Sequence, residues 1–121
     1  WKELQKEGLR CYAVSIDSPR VPSEHVQKTW TDWGGTIPVL RDIEHQAFES
    51  LHVESTPTTV LLDAAGRLQF FEVGVQRSPE PLVAAARRVL AGDDLAAARH
   101  EAHRRRVEAY QKALDDATIP D

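Results

Sequence analysis

The apolar positions of this chain recur with two different spacings, and those spacings divide it into elements. Trp1 and Leu4 share one helical face among Lys and Glu, and Gly8 follows where a helix stops in a left-handed residue. The opening therefore reads as the last turns of a helix. Leu9 to Ile16 is almost continuously apolar, which predicts a strand covered on both faces. From Ser23 to Trp33, the residues Val26, Trp30 and Trp33 fall at i, i+4 and i+7 before Gly34-Gly35 ends the pattern. This predicts an amphipathic helix with both tryptophans in the core. Ile37 to Leu40 is a short apolar segment that Pro38 keeps from being a central strand, and Asp42 is expected to cap a helix facing inward through Ile43, Ala47 and Leu51.

Two further strands, Thr58 to Asp63 and Leu68 to Val73, are separated by a short connection in which Gly66 is free to take a positive φ, so they should form an antiparallel hairpin. Ser78, Pro79 and Glu80 supply a cap, a first-turn proline and an acid at the positive end of a helix. That helix buries Leu82, Val83, Ala86, Val89 and Leu90 and stops at Gly92. Asp93 to Ala117 reads as a last, Ala-rich helix with one narrow stripe through Leu95, Ala98, Ala102, Ala109, Tyr110, Ala113 and Leu114.

Composition narrows the function. The chain has 121 residues, one domain's worth, with 15 Lys and Arg against 19 Asp and Glu and a formal charge of −4. The surface as a whole offers no general attraction to nucleic acid or anionic lipid, so no nucleic-acid partner is expected. The longest apolar run, Leu82 to Ala86, is far short of the roughly 20 residues of a spanning helix, so no membrane insertion is expected within this segment. A single cysteine, Cys11, excludes an intrachain disulfide and a Cys-rich zinc site. Met is absent even at position 1, which suggests a processed chain or a piece of a longer one.

The segments YAVSID, IPVLRD, AFESLHVESTPTTVLLDAAGRLQFFEVG and PEPLVAAARRVLAG together carry a family likeness. They resemble the second half of a thioredoxin-fold redoxin, in the group of TlpA- and ResA-like thiol-disulfide oxidoreductases. The likeness covers about residues 1–92 and implies an α/β, thioredoxin-like three-layer sandwich, incomplete at its N-terminus, with residues 93–121 as a C-terminal helical extension. It also implies that Pro57 is a cis-proline and that Thr56 and Pro57 are the substrate-binding positions, the backbone of Thr56 pairing with a bound chain. The family's Cys-x-x-Cys has no counterpart here; by the order of elements it would lie upstream of Trp1, together with the central strand of the sheet. The resemblance thus implies part of an enzyme acting on protein or small-molecule thiols and disulfides, with no catalytic residue in this chain and no cofactor. As given it should be inactive, and without the central strand it should fold poorly or aggregate. A non-catalytic peptide- or protein-binding module and a fragment of a peroxiredoxin-type peroxidase are the alternatives. The likeness leans toward the bacterial periplasm.

The remaining chemistry-bearing residues read as structural. Cys11, in mid-strand, has the setting of a small buried hydrophobe rather than of a reactive thiol. His100 and His103 lack the i, i+4 spacing of a helical zinc pair, so no metal site is expected; His25, His45 and His52 read as solvated. Arg99, Arg104, Arg105 and Arg106 form the basic cluster of the last helix and, next to Glu101 and Glu108, read as a solvated face.

Overall fold

In a computed structural model, which describes residues 1–119, the chain is mixed α/β and divides into two compact units, 1–58 with 73–75 and 59–72 with 76–121. Residues 120–121, the end of the expected extension, lie outside the described part.

The first unit opens with helix α1 (Lys2–Gln5), whose Leu4 is buried. Gly8 turns the chain away at φ 110, and the amide of Leu9 donates to the Leu4 carbonyl. Strand β1 (Ala13–Ser15) runs parallel to β2 (Val39–Arg41), with Val14 level with Leu40. The expected strand from Leu9 to Ile16 is thus reduced to three residues, and it is not covered on both faces. Val14 is 52% exposed, and Tyr12 and Leu40 are exposed with it. Among the described residues β1 has a neighbour on one edge alone, so no second ladder holds Leu9 to Tyr12 in strand geometry.

Helix α2 (Ser23–Asp32) connects β1 to β2 and buries Val26. The tryptophan pair divides. The indole of Trp30 lies against Gly35, where a Cβ would collide with the ring, and its Nε1–H donates to the Ile37 carbonyl at 2.8 Å. Trp33 sits just past the helix end and is 79% exposed, which corrects the expectation that both are core. Its backbone has left the helix at that point, so the i+7 spacing no longer places it on the buried face.

Helix α3 (Gln46–Ser50) begins later than its spacing suggested, because His45 takes a left-handed φ of 54 and Ile43 stays outside and exposed. Asp42 nevertheless caps it from a distance: one carboxylate oxygen accepts from the amide of Phe48 at 2.8 Å, the other from Ala47 at 3.2 Å.

The second unit is built on β3 (Thr58–Leu62) and β4 (Leu68–Val73), which pair as the expected hairpin around Gly66 at φ 80, their base residues Thr58 and Val73 being counted with the first unit. Helix α4 (Glu80–Leu90) follows, with Ser78 Oγ accepting from the Glu80 amide at 3.3 Å. Ala85 and Ala86 are its fully buried residues. Helix α5 (Leu95–Ala117) is capped by Asp94, whose side chain accepts from the Ala97 amide at 3.1 Å. Leu95 is buried; most of the later turns face solvent, including Tyr110 and Leu114 of the expected stripe.

Candidate functional site

The two positions singled out from the sequence lie where the chain travels from α3 to β3. His52 closes α3 with a left-handed φ of 53, and the Val53 amide returns to the Phe48 carbonyl at 2.9 Å. His is among the few non-glycine types that populate this region readily. Glu54, Ser55, Thr56 and Pro57 are then all exposed.

The Thr56–Pro57 peptide bond is cis. The groups on either side are spoken for: the Thr58 hydroxyl donates to the Ser55 carbonyl at 2.6 Å, and the Gly74 amide donates to the Pro57 carbonyl at 2.8 Å. Thr56 itself makes no hydrogen bond with the described residues, through its backbone or its hydroxyl. Thr56 lies in the bend that leads into β3, and an exposed backbone donor and acceptor at such a position are the groups an incoming extended chain pairs with when it adds to a strand. Pro57 has no N–H, and its carbonyl is already taken by the Gly74 amide, so it adds no free backbone group beside Thr56.

The other sequence candidates form no metal-holding group among the described residues. Cys11 is half-buried, and that burial pushes its thiol above the ordinary range, away from the thiolate that nucleophilic chemistry needs. On α5, Arg104 pairs with Glu101 at 2.7 Å and Glu108 at 2.8 Å, and Arg105 with Glu101 at 3.1 Å. The Arg104 hydrogen bond holds the Glu101 carboxyl below its usual range. No described helix is long and apolar enough to cross a membrane.

Two hubs were not anticipated from the sequence. In the first unit, Arg41 at the end of β2 donates to the carbonyls of Val21 at 2.6 Å and Ser18 at 2.9 Å, and to the Ser23 hydroxyl at 3.2 Å. It thereby holds the connection between β1 and α2. In the second unit, Gln69 is 2% exposed and satisfied on both sides of its amide. Its Oε1 accepts from the Leu95 amide at 2.6 Å, and its Nε2 donates to Asp94 at 3.0 Å. Arg67 bridges Asp63 at 2.8 Å and Asp94 at 3.1 Å. Asp63 is held below the usual carboxylate range first by the Arg67 amide, and Asp94 first by the Gln69 side chain. The one signal for Gln69 was a neutral polar residue in a mostly apolar strand that also carries Glu72; for Arg41 there was none.

No protein-family model matches the chain, and no curated protein matches it.

Proposed function

We propose that this chain is the substrate-docking portion of a thioredoxin-like thiol-disulfide oxidoreductase, built on a three-layer sandwich to which an upstream segment contributes the central strand and a Cys-x-x-Cys. The observation that carries the reading is the exposed, unpaired backbone of Thr56 beside Pro57, at the entry to β3. It supports a role in pairing with an extended substrate chain and holding a disulfide over a nearby thiolate. The free edge of β1 and the exposed apolar face of Tyr12, Val14 and Leu40 support a further strand and covering layer. The raised pKa of Cys11 supports placing the nucleophile elsewhere.

In this reading the first upstream cysteine, as thiolate, attacks one sulfur of the substrate disulfide. A mixed disulfide forms and the other substrate sulfur leaves as a thiolate that takes up a proton. The second cysteine then attacks the mixed disulfide, releasing the second substrate thiol. The substrate gains two electrons, and the cysteine pair becomes a disulfide. Thr56 and Pro57 position the substrate and take no part in the exchange.

Reading the coding sequence upstream of Trp1 and assaying the full-length protein for reduction of insulin disulfides tests the proposal. A Cys-x-x-Cys, with activity lost when its first cysteine is changed to Ser, is the expected result. An upstream segment without a cysteine pair would overturn the enzymatic reading and leave a peptide-binding module. An upstream Thr-x-x-Cys with hydroperoxide consumption would move the protein to the peroxidase class.

A further inference from the structure

Helix α5 is fixed at its start and bare along most of its length. Asp94 caps it and Gln69 holds the Leu95 amide, yet Val107, Tyr110 and Leu114 are 51%, 68% and 46% exposed. These three fall at i, i+3 and i+7, and the same 3.5-residue repeat extends back through His103 and His100 to Ala96 and forward to Ala117. That is the spacing of a coiled-coil seam. Its apolar residues lie on a different face from Ala98 and Ala102, which line an open groove with Ala84 and Ala85 of α4; Arg99 stands between the two and also borders that groove.

The charges bordering the seam are of one sign. Arg99 and Arg106 occupy flanking positions on one side and Arg104 on the other, and the remaining flanking positions from Ala97 to Ala113 carry Ala or Gln. The acids of α5, namely Glu101, Glu108, Asp115 and Asp116, fall outside the flanks. Glu101 and Glu108 draw Arg104 toward their own face, whereas Arg99 and Arg106 make no ion pair with the described residues. Pairing of α5 with a second copy would set this border against itself: a parallel pair brings Arg99 toward Arg104, and an antiparallel pair brings the Arg99 and Arg106 edge against the same edge. Like charges across those positions disfavour pairing.

We propose that the seam of α5 is a docking surface for an amphipathic helix of another protein, apolar along its own seam and carrying Glu or Asp at its flanking positions. Val107, Tyr110 and Leu114 supply the apolar contact. Arg99 and Arg106 select the charge of the partner.

The test measures binding of the full chain to a labelled helical peptide with Leu along its seam and Glu at its flanks, beside the same peptide with Lys at those flanks. The Glu peptide should bind the tighter by about fivefold or more, with the gap narrowing as salt is raised. Leu114→Ala should weaken it by about tenfold. The double variant Arg99→Glu, Arg106→Glu should transfer the preference to the Lys peptide, and because both positions are exposed, circular dichroism should show helix content unchanged. Equal binding of the two peptides, or none, would overturn the proposal. So would sedimentation as a dimer that Leu114→Ala dissociates, which would make a second copy the occupant. Arginine-dependent binding to phosphatidylserine vesicles without binding to the Glu peptide would equally overturn it.

Discussion

The start of α5 and the entry to β3 are both places where chain leaves a loop for regular structure, and they treat their backbone polar groups in opposite ways. At the start of α5, the Leu95 amide is taken by a side chain that is itself 2% exposed, and the caps around it are shared by Gln69, Asp63, Arg67 and Asp94. At the entry to β3, Thr56 is exposed, with neither its donor nor its acceptor paired among the described residues. A buried polar group must find a partner within the molecule, whereas an exposed one is paired with solvent at little cost and is available to exchange that solvent for a ligand. The first arrangement serves stability, and the second is the kind on which binding is built.

The contrast can be broken most forcefully at Leu95, whose side chain is buried beneath the start of α5. Leu95→Ala should cost about 3 kcal/mol in urea unfolding. Gln69→Leu keeps much of the shape and leaves the Leu95 amide buried without an acceptor, which should cost about 2 kcal/mol by the same measurement. If the two substitutions were as mild as a surface change, the hub would not be holding the helix. Arg41→Ala releases the connection between β1 and α2 and should cost about 1.5 kcal/mol.

A smaller effect is expected from acid. Asp63 and Asp94 both have carboxyl pKa values lowered in the folded chain. Their contribution is complete above the ordinary carboxylate pKa of about 4 and is lost as pH falls below it through the lowered folded values. The melting temperature should therefore decline as pH falls from about 4, and Asp94→Asn should flatten part of that decline. Smallest of all, Thr56→Ala should change unfolding free energy by less than about 0.5 kcal/mol, because the side chain makes no bond and lies in water.

The elements most legible in the sequence are those whose pattern is local. Helices α2, α4 and α5 follow from 3.6-residue periodicity, the first two stopped by glycines just past their ends, and the hairpin from two apolar runs around Gly66. At Thr56 and Pro57 the sequence itself marks an interruption of pairing, because a proline stands just before an apolar strand, and only the family likeness attaches a binding role to it. What failed depended on contacts distant in sequence. Leu9 to Ile16 reads as a buried strand, but a strand needs neighbours, and among the described residues β1 has a partner on one side alone. Trp33 keeps helical spacing in the sequence while its backbone has already left the helix. In β4 the apolar Leu68 is exposed, whereas Gln69 is buried because Asp94 and Leu95, some 25 residues on, supply its partners. No window of neighbouring residues contains that information.

Amide hydrogen exchange at Thr56 and Leu95 in the same sample tests the central claim most directly. The account predicts that the Thr56 amide exchanges at close to the rate of an unstructured peptide, while the Leu95 amide is protected nearly to the level of global unfolding. Comparable protection at the two positions would mean that the Thr56 backbone already has a partner, and would contradict the proposal that it receives a substrate chain.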